Sequence, residues 1–451
     1  MRRRPRTRGR TPSSTRPDAV ASDDGLTAAG SAPTLHGVGL LKHRDFLLLF
    51  AGQGISRLGD GLYTAAVAWL AWSLTHQPAA VALVTVAAYA PTFLATVIGA
   101  SYADRYDRRR LMIATDLVRA AVVGLAPVLL VLDALSLPLL IVAVALLSLL
   151  GAPFAPARNA IVPQIVPAER LLAANGLLQV AFRAAFFVGP LLLAPLLAVA
   201  SLDLVLALDV LTFLASAATL AAIRARPAAR AEHRVGLRAD LAAGFAALRA
   251  EPQVLIVITT FILALLAASG FLTVGVVALV GESLGGDGGD YGLLLGIAGV
   301  AEVFGALALA RLPLRNLALT AVLAWALLGA FRFPLGLAGT PAVAAALLAV
   351  TGFASALTDI PLIALTQQRI PDRHLAKALG LWEAGIAGAL AVAPFVAAAT
   401  IAQVGVRSAF MLSGAALIAL AAAAAILLGR TRADRNAGSA GEVGRVDQVA
   451  V

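Results

Sequence analysis

The chain has 451 residues, of which 60% are hydrophobic and only 13% are charged, and its formal net charge is +10. Soluble domains are roughly half apolar and a quarter charged, so this composition indicates a membrane protein. Cysteine is absent, and none of the five histidines falls inside a long apolar run. Disulfides and cysteine nucleophiles are therefore excluded, and neither a metal site nor a cofactor is predicted.

Apolar runs that could cross a hydrocarbon layer of about 30 Å, each needing about 20 helical residues, recur along the chain. Twelve are predicted as transmembrane helices, at residues 46–74, 79–103, 111–132, 135–156, 171–200, 202–223, 254–280, 291–310, 317–337, 341–365, 375–399 and 406–428. The runs do not alternate between apolar and polar residues, so helices rather than barrel strands are expected. The predicted fold class is an all-α membrane protein with twelve transmembrane helices.

Lys and Arg are concentrated on one side of the predicted helices. They fill both terminal tails and the alternate loops, at 104–110, 157–170, 224–252, 311–316 and 366–377. By the positive-inside rule both termini face the cytoplasm, and this bias explains the net charge better than nucleic-acid binding does. Residues 1–35 and 431–451 lack the apolar side chains of a core and are predicted to be disordered cytoplasmic tails.

The chain contains an internal duplication. After a shift of 204 positions, residues 164–190 align with 368–394. Two pseudo-symmetric six-helix bundles in parallel repeat are therefore predicted, at 36–223 and 253–430, joined by a cytoplasmic linker at 224–252. Paired bundles of this kind rock about a central site in transporters.

The linker itself is amphipathic. Leu237, Leu241, Phe245 and Leu248 recur at helical spacing, which predicts a helix with one apolar face. This helix is expected to lie on the membrane surface or, alternatively, to pack beneath the second bundle as an ordinary soluble helix.

A charged sequence, DRYDRRR at 104–110, forms the turn between the second and third predicted helices. It resembles the signature of the major facilitator superfamily, Gly-x-x-x-Asp-Arg-x-Gly-Arg-Arg/Lys, which is matched by Asp104, Arg105, Arg108 and Arg109. The resemblance implies a conformational latch: Asp104 can cap the next helix, and a contact made in only one access state biases the equilibrium. Asp116 and Arg119 of the third helix are expected partners of this turn. The alternative is an Arg-rich turn that only sets topology.

The fifth predicted helix carries a second signature. Exporters of the superfamily show Gly, eight residues, Gly, three residues, Gly-Pro, two residues and Gly. These places are taken here by Gly176, Ala185, Gly189, Pro190 and Leu193. Over about residues 40–430 the chain is similar to the exporter branch that includes siderophore and macrolide efflux proteins. Small residues at this spacing equally favour simple close packing of helices.

Ionisable side chains inside the predicted helices are candidates for function, because each costs at least about 2.5–3.5 kcal/mol at the bilayer centre. Arg57 and Asp60 lie three residues apart in the first helix and share a face. Asp60 is the first candidate for proton binding, because a changed distance to Arg57 would shift its protonation; a permanent ion pair is the alternative. Arg183 could meet Asp60 or an anionic group, and Glu302 and Glu383 supply acids in the second half.

Two further groups of residues rank lower. Asp209 lies toward the end of a predicted helix, where water is nearer. Aromatic side chains are possible contacts for cargo in the substrate cavity, although aromatics in helices more often face lipid or the core. The cavity candidates are Tyr63, Phe182, Phe186, Trp325 and Trp382.

These features predict a secondary transporter that exports a small amphipathic molecule, such as a drug, an antibiotic or a siderophore-like metabolite, by proton antiport. No Gly-x-x-x-x-Gly-Lys-Ser/Thr loop occurs in the sequence, so the proton gradient rather than ATP is the expected energy source. The expected partners are the substrate, protons and the lipid bilayer of the plasma membrane, and the family resemblance implies a monomer. An importer or facilitator on the same fold is the alternative, and a membrane-embedded enzyme is a remote one.

Overall fold

The computed structural model describes residues 39–99, 107–167, 170–224, 237–309, 311, 314 and 316–449. The regular structure in these residues is helical. The predicted N-terminal tail, together with Asp104 and Arg105 of the charged turn, lies outside the described residues.

The first half of the chain supplies seven helices. They are α1 (Arg44–Thr75), α2 (Pro78–Gly99), α3 (Arg108–Val131), α4 (Leu137–Gly151), α5 (Phe154–Ile165), α6 (Leu171–Leu197) and α7 (Leu202–Ala222). α4 and α5 follow each other with a break at Pro153, because proline cannot donate a backbone hydrogen bond. The helices of the first half thus cover its six predicted spans in the same order along the chain.

The second half supplies the linker helix and five longer elements. They are α8 (Leu237–Ala250), α9 (Pro252–Leu284), α10 (Gly288–Leu309), α11 (Leu317–Leu335), α12 (Pro341–Arg369) and α13 (Asp372–Val449). α9 is π-helical over Phe271–Gly275 and Leu279–Leu284. α13 holds the last two predicted spans and is bent at Gly405, whose φ of 78° favours glycine.

The predicted disorder of 431–451 does not appear in the described residues, where α13 stays helical to Val449. Extending an existing helix avoids the cost of nucleation, so a polar segment can continue it.

By length and composition, seven helical stretches of the described chain could each cross a membrane. They are Arg108–Val131, Leu202–Ala222, Pro252–Leu284, Gly288–Leu309, Leu317–Leu335, Pro341–Arg369 and Lys377–Thr431. Lys377–Thr431 has 55 residues, enough for two crossings at about 20 residues each. With the shorter apolar helices between them, these stretches confirm an all-α membrane fold.

The two bundles are joined over one half of their length. One buried cluster contains Trp72 and Phe213 of the N-terminal bundle together with Phe271, Tyr291 and Phe410 of the C-terminal bundle. We call this end the joined half. Across it, the rings of Trp69 and Tyr291 stack with their centres 6.3 Å apart.

In the other half each bundle has its own core. Phe46, Met112 and Leu220 belong to a cluster drawn from the N-terminal bundle, while Val254 and Leu417 belong to one drawn from the C-terminal bundle and α8. In the described part of the chain, neither of these clusters mixes helices of the two bundles. We call this end the separated half.

α8 packs against the C-terminal bundle. Leu248 is buried in the core of that bundle, and a methyl group on Gly244 would lie 2.7 Å from the carbonyl oxygen of Lys377 in α13. Phe245 remains about half exposed. This placement matches the second alternative for the linker, a helix packed beneath the second bundle.

Candidate functional site

Asp60 lies at the centre of an ion-pair network inside the N-terminal bundle. Its Oδ2 is 3.3 Å from Nη1 of Arg57, one turn earlier on α1. Its Oδ1 accepts a 2.8 Å hydrogen bond from Nη2 of Arg119 on α3. Hydrogen bonds between ionised groups are among the strongest in proteins, so Asp60 is held from both sides.

Arg119 was expected to pair with the charged turn, and its place in the structure corrects that expectation. It pairs with Asp60 instead, while its guanidinium carbon lies 4.2 Å from the ring centre of Phe213 on α7. A guanidinium inside a membrane needs a carboxylate or an aromatic face, and Arg119 has both. Arg119 is near the charged turn in sequence, but this nearness could not predict its contact with Asp60, which depends on the packing of α3 against α1.

Two further carboxyl groups lie next to this network and are fully buried. Asp116 is on α3, three residues before Arg119, and neither of its oxygens has a hydrogen-bond partner within the described residues. Asp209 of α7 accepts a 2.8 Å hydrogen bond from the Thr212 hydroxyl at Oδ1, while Oδ2 has no such partner in the described chain. The sequence placed Asp209 toward a helix end, where water is nearer, whereas the structure buries it, with 1% of its surface exposed.

We call Arg57, Asp60, Asp116, Arg119 and Asp209 the charge cluster. It is held by close packing of α1 on α7: a methyl group on Gly59 would overlap Asp209 and Thr212, and Nε2 of Gln53 donates a 3.1 Å hydrogen bond to the Ser216 hydroxyl. Leu62 and Tyr63, directly after Asp60, already belong to the core of the joined half. The charge cluster therefore lies near the level at which the bundles separate.

Arg57 has the most exposed side chain of the charge cluster, at 38%. Its guanidinium carbon lies 5.6 Å from the ring centre of Phe182 on α6, and that of Arg158 lies 4.4 Å from the same ring. Phe182, one of the predicted cavity residues, thus contacts two arginines. Arg158 was not singled out from the sequence, because its role depends on α5 packing near α6.

α6 and α10 pack closely against each other across the two bundles. Gly189 of α6 faces α1, where a methyl group would lie 2.6 Å from the backbone nitrogen of Leu62. The carbonyl oxygen of the next residue, Pro190, lies 2.6 Å from where a methyl group on Gly292 of α10 would sit. Gly296 and Gly299 continue this glycine face along α6. Residues of the exporter-type signature therefore pack on both bundles.

Comparison with known proteins decides the family. The family described as transmembrane secretion effector matches residues 37–441. The chain belongs to this family. It is a multi-pass membrane transporter of the major facilitator superfamily, which confirms the resemblance read from its signatures, and transporters of this superfamily are not enzymes.

Curated relatives match part of the chain. Macrolide efflux protein A of Streptococcus pyogenes is 28% identical over 182 residues, which cover 40% of this chain and 44% of the relative. Macrolide efflux protein A of Enterococcus faecalis is 32% identical over 123 residues, covering 27% of this chain and 38% of the relative. The chain thus spans less than half the length of each.

Solved structures share the fold. The nucleoside transporter NupG superposes with a TM-score of 0.66 at 14% identity, over 85% of this chain and 99% of that one. A bacterial homologue of the iron transporter ferroportin, in its inward-facing state, gives 0.64 at 16% identity over 84% and 98%. At these identities the likeness establishes the fold alone.

The transporter's charged turn makes contacts within one bundle. Asp107 caps α3 by accepting a 2.8 Å hydrogen bond from the backbone N–H of Arg110, the role that was predicted for Asp104. Nε of Arg109 donates a 2.8 Å hydrogen bond to the carbonyl oxygen of Leu220, and Arg109 also donates to the carbonyl oxygen of Ala221. A cation at the end of α7 is favourable. Arg109 therefore ties α3 to α7, and Arg108 begins α3.

Several cavity candidates are core residues instead. Trp325 and Trp382 both pack edge-on against Phe261, with ring centres 5.5 and 5.7 Å apart, and are almost fully buried in the C-terminal bundle. Tyr63 is buried in the joined half. Aromatic rings supply large apolar area, so burial in a bundle core is their ordinary place.

The remaining candidates are on other helices, or their side chains lie outside what is described. Glu302 on α10 and Glu383 on α13 belong to the C-terminal bundle. Arg183 and Phe186 are on α6, and their side chains fall outside the described residues. In the exporter-type signature, Ala185 is buried, whereas a methyl group on Gly176 would meet no described atom within 4 Å.

Proposed function

We propose that the protein exports a small amphipathic molecule from the cytoplasm in exchange for protons, by alternating access of the space between its two bundles. The cargo is a drug, an antibiotic or a siderophore-like metabolite. The protein acts as a monomer in the plasma membrane with both termini in the cytoplasm, uses the proton gradient without a cofactor, and binds no nucleic acid.

The single observation that carries this proposal is the contrast between the two halves. The bundles share one core in the joined half and have separate cores in the separated half. The Arg-rich turn and the linker helix α8 are at the separated end, which the positive-inside rule assigns to the cytoplasm. In this state the space between the bundles is open to the cytoplasm, as an exporter needs when it loads its cargo.

The charge cluster supports proton coupling. Carboxyl groups inside a membrane are costly and persist where they serve function. One proton moving through 100 mV supplies about 2.3 kcal/mol, which sustains roughly a 50-fold gradient of a neutral cargo. The names of the relatives, macrolide efflux proteins, favour macrolide antibiotics among the possible cargoes.

The test uses inside-out vesicles with an acidic lumen and a pH-sensitive dye. Erythromycin and a panel of cationic and neutral drugs are added to vesicles that contain wild type, Asp60→Asn or Asp133→Asn at matched expression. Asp133 is an exposed loop carboxylate, so its variant controls for loss of charge alone. We expect at least one drug to release protons from wild-type and Asp133→Asn vesicles and not from Asp60→Asn vesicles.

Two results would contradict the proposal. If no drug of the panel releases protons from wild-type vesicles, and intact cells that express the protein accumulate a drug, the protein would be an importer. Equal proton release by Asp60→Asn and wild type would show that Asp60 itself is not needed for coupling, so that the other carboxyl groups, including Glu302 and Glu383, would be tested next.

A further inference from the structure

Asp116 is a buried carboxyl group for which no ion-pair partner is found within the described residues. It has no exposed surface, and both oxygens lack a hydrogen-bond partner within the described residues. The groups that face it are Arg57 and Asp60 of α1, Arg119 of its own helix and Ser216 of α7. No guanidinium among the described residues contacts Asp116, and an ionised carboxylate without an ion-pair partner is strongly disfavoured in a low-dielectric interior, which favours the neutral acid.

Asp60 is in the opposite situation. Guanidinium groups approach both of its oxygens, at 2.8 and 3.3 Å. It therefore serves as the counter-ion of Arg57 and Arg119 in this state. The carboxyl group named first from the sequence is thus engaged in two ion pairs.

Arg119 is placed to serve either carboxyl group. Asp116 and Arg119 are three residues apart on α3, a spacing at which side chains meet on a helix. Nη2 of Arg119 is used by Asp60, while its Nε has no hydrogen-bond partner among the atoms described. A change of side-chain torsion would turn the guanidinium from Asp60 toward Asp116.

We propose that Asp116 is the group that binds and releases the transported proton, and that Arg119 moves from Asp60 to Asp116 when the proton leaves. This inference rests on the proton antiport proposed above. The proton passes from the Asp116 carboxyl to water, and the guanidinium of Arg119 stays protonated. The Arg119 guanidinium breaks its hydrogen bond to Asp60 and donates one to the ionised Asp116, while Asp60 keeps its ion pair with Arg57.

The movement would change the connection between α1 and α3. The Arg119 hydrogen bond to Asp60 joins these helices across 59 positions of the chain. α1 in turn contacts α6 at Gly189, and Pro190 contacts α10 of the other bundle. Proton release at Asp116 thus acts on the helix that packs against the contact between the bundles. Asp209, held by Thr212, stays outside the switch.

Infrared difference spectroscopy of the purified protein in lipid tests the proton site without any substrate. Spectra taken at acidic and alkaline pH should show the carbonyl band of a carboxylic acid that disappears as pH rises. We expect Asp116→Asn to lack this band and Asp116→Glu to shift it, while Asp209→Asn keeps it. A band that survives in Asp116→Asn, or is lost in Asp209→Asn instead, overturns the proposal.

A transport measurement then tests the coupling. In proteoliposomes, a gradient of about one pH unit should raise wild-type erythromycin accumulation about tenfold per proton exchanged. The ratio of accumulation with and without the gradient should fall to about one in Asp116→Asn. A wild-type ratio retained by this variant overturns the assignment of Asp116. Failure of wild type to transport any drug would reject the proposed function and leave the spectroscopic result standing by itself.

Discussion

Nη1 of Arg332 donates a 2.6 Å hydrogen bond to the carbonyl oxygen of Ala268, close to the point where α9 changes from α-helical to π-helical geometry. Arg332 is on α11 and only 5% exposed. From α13, the Ser413 hydroxyl donates a 2.6 Å hydrogen bond to the carbonyl of Ala267. A change of helical register disturbs the backbone ladder, and these two side chains stabilise it there.

Replacing Arg332 should therefore loosen α9 locally. A hydrogen bond from a charged donor contributes about 1.5–3 kcal/mol, so Arg332→Met should speed amide exchange over residues 268–284 by about tenfold or more. Hydrogen–deuterium exchange with mass spectrometry measures this directly. Ser413→Ala, which removes a neutral donor, should have a smaller effect. Unchanged exchange in Arg332→Met would mean that the π-helical segment is stabilised by packing alone.

Gly189 and Gly176 should respond differently to the same substitution. A methyl group on Gly189 meets the backbone of α1, whereas one on Gly176 meets no described atom within 4 Å. Overpacking of a close contact costs about 1–3 kcal/mol, so Gly189→Ala should lower the thermal unfolding temperature and Gly176→Ala should leave it near that of wild type. Equal shifts in the two variants would show that α6 can move away from α1 at no cost.

A disulfide across the joined half should lock the transporter. A methyl group on Gly289 would lie 3.7 Å from Cβ of Ala194, within the range of about 3.5–4.5 Å that disulfides need. Because the chain has no cysteine of its own, Gly289→Cys combined with Ala194→Cys can be oxidised selectively. Oxidation should stop drug transport and reduction should restore it. Each single variant is the control. Normal transport by the oxidised double variant would contradict the expectation that the joined half opens during transport.

Asp60 and Arg119 should show strong energetic coupling. Removing one member of a buried ion pair costs about 3–5 kcal/mol because the other charge is left unpaired. Asp60→Asn should destabilise more than Arg119→Gln, since it strands two guanidiniums, while Arg119→Gln leaves Asp60 with Arg57. The double variant should lose less than the sum of the two single losses. A double-mutant cycle of chemical unfolding in detergent measures the coupling, and additive losses would contradict the pairing.

The sequence predicted local relationships better than tertiary ones. Hydropathy located the helices, and the spacing of Arg57 and Asp60 predicted their ion pair, because both depend on a single helix. Arg119 was misassigned since its partner lies 59 positions away, and only the packing of α3 beside α1 brings them together. Trp325 and Trp382 were assigned to a cavity because helical spacing does not reveal which face of a helix meets the core.

The π-helical segments of α9 also bear on the history of the chain. α1 is the counterpart of α9 in the duplicated halves, and it is α-helical from Arg44 to Thr75, whereas α9 changes geometry twice before Leu284. The twofold relationship between the repeats is therefore broken at one pair of helices. The first helix of the second bundle thus carries a departure from α-helical geometry that its counterpart in the first bundle lacks, and π-helical turns of this kind are frequent at functional sites.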